Sequence, residues 1–154
     1  MFADSAVVRM ESDCMKSWLI VALLFSVVPQ TTQPVDTVLE RLAKVQLFAF
    51  GGVGYAGVMS SGEKDYRILL SRTSAMADFE KLYSQGNVQA KCYALVGIEK
   101  LNPARFRELA GPSHTSKEKV GTMYGCITFT DETFVDIIRK IESGEYRDQH
   151  ASTH

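Results

Sequence analysis

The stretch Val88-Gln89-Ala90-Lys91-Cys92-Tyr93-Ala94-Leu95-Val96-Gly97-Ile98-Glu99-Lys100-Leu101 decides the fold. Wound as a helix, it is apolar over most of its circumference, through Val88, Ala90, Cys92, Tyr93, Ala94, Leu95, Val96 and Ile98. A helix with so little polar surface has no broad face to offer water, so it belongs at the centre of a core. The rest of the domain must pack around it.

Working outward, Gly86 predicts a left-handed helix stop and Asn87 a cap for the central helix. The helix before it restarts at Thr73-Ser74 and carries a stripe of Met76, Phe79, Leu82 and Tyr83. Earlier still, Ser60-Ser61-Gly62-Glu63 fits a capping box, which predicts a helix over 63–72 that buries Tyr66, Leu69 and Leu70. Pro34 suits a first helical position, and Val35, Val38, Leu39 and Leu42 continue a first helix to about Leu47. Beyond the central helix, Asn102-Pro103 caps and opens a short helix through Phe106 and Leu109, ended by Gly111-Pro112. Residues 111–122 read as a polar loop with one helical turn at 117–120. Met123-Tyr124-Gly125-Cys126-Ile127-Thr128-Phe129-Thr130 reads as a short strand. Thr130 is the expected cap of a last helix lined by Phe134, Ile137, Ile138 and Ile141 and stopped by Gly144. Asp131 and Glu132 stand at its positive end. The fold class that follows is mainly α: a compact bundle of about five to six helices with at most one short strand or hairpin.

The N-terminal end speaks to compartment. Lys16 precedes a mostly apolar run from Trp18 to Val28, and Pro29-Gln30-Thr31-Thr32 follows. That is the layout of a secretory signal, with a hydrophobic segment too brief to cross a bilayer stably. Residues 1–30 are read as a signal peptide, cleaved between Ser26 and Thr32 because no Ala-x-Ala marks one site. The alternatives are a retained anchor in the inner membrane and a buried core segment. The residues before Met15 carry Asp4, Glu11 and Asp13 against Arg9, too acidic for a signal n-region, so Met15 is the expected start. Residues 31–148 are then a single helical domain and 149–154 a disordered tail. The expected location is exported, periplasmic or secreted, with membrane contact only through the signal or anchor.

Of 17 basic and 18 acidic residues, the first thirty positions hold Arg9 and Lys16 against Asp4, Glu11 and Asp13, so residues 31–154 carry 15 of each. A neutral domain without a basic cluster is poorly built for a phosphate backbone, and nucleic acid is set aside. Cys92 and Cys126 are the cysteines outside the leader. In an oxidising compartment an even count favours a disulfide between them, the alternative being two buried thiols.

Gly52-Val53-Gly54-Tyr55-Ala56-Gly57 satisfies G-x-G-x-x-G, with 45–50 as a candidate preceding strand and Asp78 as a candidate ribose acid. Against dinucleotide binding, the next helix starts at Ser60 to Glu63, after the glycines. Asp78 falls inside a helix, and no alternation of strands and helices follows. No cofactor is expected. The segment reads instead as a structural glycine loop that packs Phe48, Phe50 and Tyr55 against helices. Glycines allow close backbone approach, and aromatics are enriched at interfaces. Phe50, Gly52, Gly54, Tyr55, Gly57 and Met59 are therefore the candidate contact residues for a partner or ligand. His114, His150 and His154 lack metal-ligand spacing, and no metal is expected. Glu63/Asp65 and Asp131/Glu132 are candidate carboxylate pairs, but neighbours so close on a helix diverge, so capping and solvation explain them better. No catalytic residue is assigned.

Two resemblances accompany these readings. Residues 74–101, with Phe79-Glu80-Lys81-Leu82 and Ala90-Lys91-Cys92-Tyr93-Ala94-Leu95, resemble one HEAT-type helical pair. Phe50-Gly51-Gly52-Val53-Gly54-Tyr55-Ala56-Gly57, Tyr93-Ala94-Leu95-Val96-Gly97 and Met123-Tyr124-Gly125-Cys126-Ile127 together resemble small exported bacterial proteins without an assigned activity. The leading expectation is a non-enzymatic binding domain with a protein partner in the cell envelope. The alternatives are an immunity-type inhibitor of a toxin, a cell-envelope hydrolase using carboxylates or the His114 loop, and a small-ligand binder lined by Phe48, Phe50, Tyr55 and Met59.

Overall fold

The computed structural model describes residues 36–147, and the leader and tail readings fall outside them. Its elements in order are α1 (Thr37–Ala43), β1 (Gly52–Val53), β2 (Val58–Met59), α2 (Ser61–Leu70), α3 (Ala75–Gln85), α4 (Val88–Leu101), α5 (Pro103–Ala110), a 3₁₀ turn (Gly111–Thr115), β3 (Thr122–Tyr124), β4 (Ile127–Phe129) and α6 (Phe134–Glu142). The fold is mainly α, as the patterning predicts. Nine of the 14 residues of α4 are buried, which makes it the axis of the bundle. It packs against α2, α3, α5 and α6, and its broadest contact is with α3, through Phe79 and Leu82. Gly97 is where that pair closes: a Cβ there would lie 2.5 Å from the Phe79 ring. Among the described residues no helix is long and apolar enough to cross a membrane.

Several helix ends differ from expectation, each for a local reason. α1 stops at Ala43, not near Leu47. Asn87, the cap of α4, donates its backbone N–H to the Ala43 carbonyl (3.1 Å) and its side-chain amide to the Val45 carbonyl (2.7 Å), so these carbonyls are held by α4. Gly86 is extended (φ −81°, ψ 163°), not left-handed, and its role is space. A Cβ there would meet Ala90 Cβ at 2.5 Å and the Leu82 carbonyl at 2.7 Å. α6 is capped by Thr133, not Thr130, in a reciprocal box with Asp136. The helical turn expected at 117–120 lies at Gly111–Thr115 instead.

One hairpin was the most the patterning predicted; there are two. β1 pairs antiparallel with β2, and β3 with β4. Residues 48–54 also run beside 121–125, with parallel bridges Phe48–Thr122 and Val53–Gly125. Gly54 N–H donates to the Gly125 carbonyl at 2.8 Å, tying the hairpins together near their turns. Below them lies an aromatic cluster of Phe48, Phe50, Tyr66, Tyr93 and Tyr146, with neighbouring ring centroids about 5 Å apart.

The expected disulfide is not formed: both Cys92 and Cys126 are free. Cys92 is wholly buried on α4, whereas Cys126 is exposed in the β3–β4 turn. Packing holds one inside the bundle, and turn geometry leaves the other in solvent. Burial pushes the Cys92 thiol well above its ordinary pKa, so it behaves as a small apolar side chain.

Candidate interaction surface

The root of the first hairpin is fixed by a buried polar network. Ser60 caps α2, its hydroxyl accepting from Glu63 N–H at 3.0 Å and donating to the Ala49 carbonyl at 2.9 Å. Tyr93, on α4, donates its hydroxyl to the same carbonyl at 2.9 Å and accepts from Ala49 N–H at 3.0 Å. Burial drives the Tyr93 pKa up to about 12, the bonds with Ser60 and Ala49 opposing that rise. Glu63 does not complete the expected capping box. Its fully buried carboxylate accepts from Gly51 N–H at 2.8 Å on one oxygen and from Arg67 at 2.7 and 3.0 Å on the other. Three elements (α2, α4 and residues 49–51) thus aim the hairpin.

Its tip is the opposite. Gly54 and Gly57 have φ of +70° and +58°, the left-handed conformation this four-residue turn needs and that only glycine adopts cheaply. Between them Tyr55 is fully exposed (103 %) and Val58 follows at 57 %. On the second hairpin Ile127 is 60 % and Phe129 37 % exposed. These two hairpins hold four of the six large apolar side chains exposed among the described residues.

The candidate contact residues therefore divide. Tyr55, Gly52 and Gly57 are exposed, and Gly54 and Met59 are half-buried. Phe50 is 7 % exposed and stacked in the core, so it serves the scaffold and not a partner. Tyr55 does not pack against helices as expected of the glycine loop; Phe48 and Phe50 do. Gly52 is needed where it stands, since a Cβ would lie 2.7 Å from the Gly57 carbonyl across the strand pair. The residues that the reading missed are Ile127 and Phe129; Val58 lies inside the segment Gly51 to Met59 that it picked out as the contact surface. A usable signal existed: Val45 to Gly62 and Val120 to Thr130 carry no charge, in a chain that is 23 % charged.

The other candidate chemistry disperses. A pocket lined by Phe48, Phe50, Tyr55 and Met59 does not form, because two of these are core and one is free in solvent. A cleft of about 490 Å³ lies instead at the hairpin roots, bordered by Arg41, Val45, Val53, Ser60, Asp65 and Met123. Asp65 is held there by Arg41 at 2.5 and 3.0 Å, and Glu63 by Gly51 and Arg67, so this carboxylate pair is consumed by structure. Glu132 pairs with Lys140, while Asp131 is exposed. His114 sits 3.2 Å from Glu142, both partly exposed. Among the described residues no three His, Cys, Asp or Glu side chains gather as a metal site. Compared with known proteins, the chain matches no family model, no curated protein and no solved structure.

Proposed function

We propose that this chain is an exported, non-enzymatic binding module that meets a protein partner through the tips of its paired hairpins. One observation carries the reading: Tyr55, Val58, Ile127 and Phe129 stand exposed on two hairpins whose backbones are bonded to each other. Isolated exposed apolar residues are ordinary, but four of them gathered on one pair of joined hairpins, over a fixed base, favour a contact face there. The root network supports this, because a pre-ordered loop loses less entropy on binding than a flexible one. The export half of the proposal rests on Lys16 and the apolar run to Val28.

The test is capture from envelope extract by the immobilised chain, compared with Tyr55→Ala and Val58→Asp. Retention of a defined protein by the parent chain, and its loss with either variant at unchanged thermal stability, is the expected result. Capture indifferent to both substitutions would move the contact face elsewhere.

A further inference from the structure

Taking the hairpin pair as the contact face, we infer that it receives a second copy of this chain, added edge to edge along β4. The inference rests on the reading above in taking the second hairpin as part of the contact face; Tyr55 and Val58, on the first hairpin, lie outside the β4 pairing. β4 is the end strand of its two-stranded sheet, and all three of its residues are exposed. Sheet edges left open to solvent are normally guarded by a charge, a proline or a bulge. Residues 120–130 contain neither charge nor proline, and β4 pairs with β3 residue for residue without a bulge.

The sequence of β4 is self-complementary. In an antiparallel pairing centred on Thr128, Ile127 faces the second copy's Phe129, Phe129 faces its Ile127, and Thr128 faces its own equivalent. Two aromatic–β-branched pairs fall on one face and a Thr–Thr pair on the other, all favourable cross-strand combinations. The backbone agrees. The Gly125-Cys126 loop of two residues closes on the Tyr124–Ile127 pair, and ladder bonds alternate along the strand, so the main-chain groups of Thr128 face away from β3. A two-fold contact sets a surface against itself, which penalises any charge at its centre. None is present here, and this register places Asp131 against Gly125 rather than against a second Asp131. A charged partner segment finds nothing complementary on this edge. A second β4 does.

In this register the two Cys126 thiols lie about 14 Å apart along the strands, so the dimer is not disulfide-linked. Sedimentation equilibrium of the full chain in reducing buffer should show a species of twice the 17.1 kDa chain mass that dissociates on dilution. Thr128→Pro and Ile127→Lys should each weaken self-association at least about tenfold with an unchanged circular-dichroism spectrum. Ile127→Lys, at an exposed side chain, keeps the test decisive if the proline variant misfolds. A monomer at every concentration, a dimer indifferent to both variants, or a dimer that reductant abolishes would each overturn the inference. A monomeric chain whose capture still depends on Tyr55 would sink the self-pairing alone. Self-association without any Tyr55-dependent capture would sink the broader reading and leave the β4 contact standing.

Discussion

The root and the tip of the first hairpin lie within a few residues of each other, yet they obey opposite rules. At the root every polar group named above has a partner, and the side chains that supply them (Ser60, Glu63 and Tyr93) come from two helices. At the tip no side chain is needed for packing, and Tyr55 stands wholly in solvent. The difference teaches where to look for function. Residues whose identity is dictated by the interior explain why the loop holds its shape, whereas Tyr55 and Val58 have no interior reason to be large and apolar.

The sharpest way to break this contrast is to attack Glu63. Replacing it with Ala removes the acceptor of Gly51 N–H and the carboxylate that Arg67 meets, at a position that is itself fully buried. Losing one partner of a buried pair typically costs about 3–5 kcal/mol, and Arg67's partial exposure places the expected loss near the lower end. Urea unfolding measures it, and hydrogen exchange should show Gly51 deprotected. A loss below about 1 kcal/mol would mean the root is not what shapes the hairpin.

Alkali probes the same network without mutation. The pKa of Tyr93 is about 12 in the folded chain against about 10 unfolded, because burial favours the neutral phenol. A raised pKa means its stability is fully present below pH 10 and drains away as pH climbs through 12. The two-unit gap corresponds to about 2–3 kcal/mol. The parent chain should therefore lose that much more stability between pH 10 and 12 than Tyr93→Phe does. Parallel pH profiles for the two would place Tyr93 outside the network. Gly62→Ala presses on the same phenol from α2: its Cβ would lie 2.6 Å from the Tyr93 hydroxyl. Overpacking of this kind costs about 1–3 kcal/mol, so a drop of that size in thermal unfolding is expected, with far-UV circular dichroism unchanged.

How much of this was legible beforehand follows from sequence distance. The central helix, the Ser60 cap and the α3–α4 pair are read from residues three or four apart, and they stand where periodicity puts them. Gly51 to Met59 was legible as a glycine-rich contact candidate, but not as a strand pair. The bridge from Val53 to Gly125 joins positions about seventy residues apart, and no local pattern records it. The same blindness hid Phe50. An aromatic beside glycines reads as a loop anchor, and only the converging rings of Tyr66 and Tyr93 turn it into core. The end of α1 was missed for a like reason, since the group that holds it is Asn87.

The smallest expected effect is the one that sharpens the contrast most. Tyr55→Ala removes a large aromatic ring, a change that costs about 3–5 kcal/mol when the ring is buried. Here the ring touches only water, its hydroxyl supports nothing, and the turn around it is set by the two glycines. Folding stability should move by less than about 0.5 kcal/mol, and a slight gain is reasonable because an exposed apolar surface is removed. Equilibrium denaturation of the parent chain and Tyr55→Ala side by side is sufficient, with Glu63→Ala as the reference for what a real contact costs. A fall of more than about 1 kcal/mol would show that the tip is fastened to the domain after all. Tyr55 would then owe its size to the fold, and a binding role would no longer be needed to explain it.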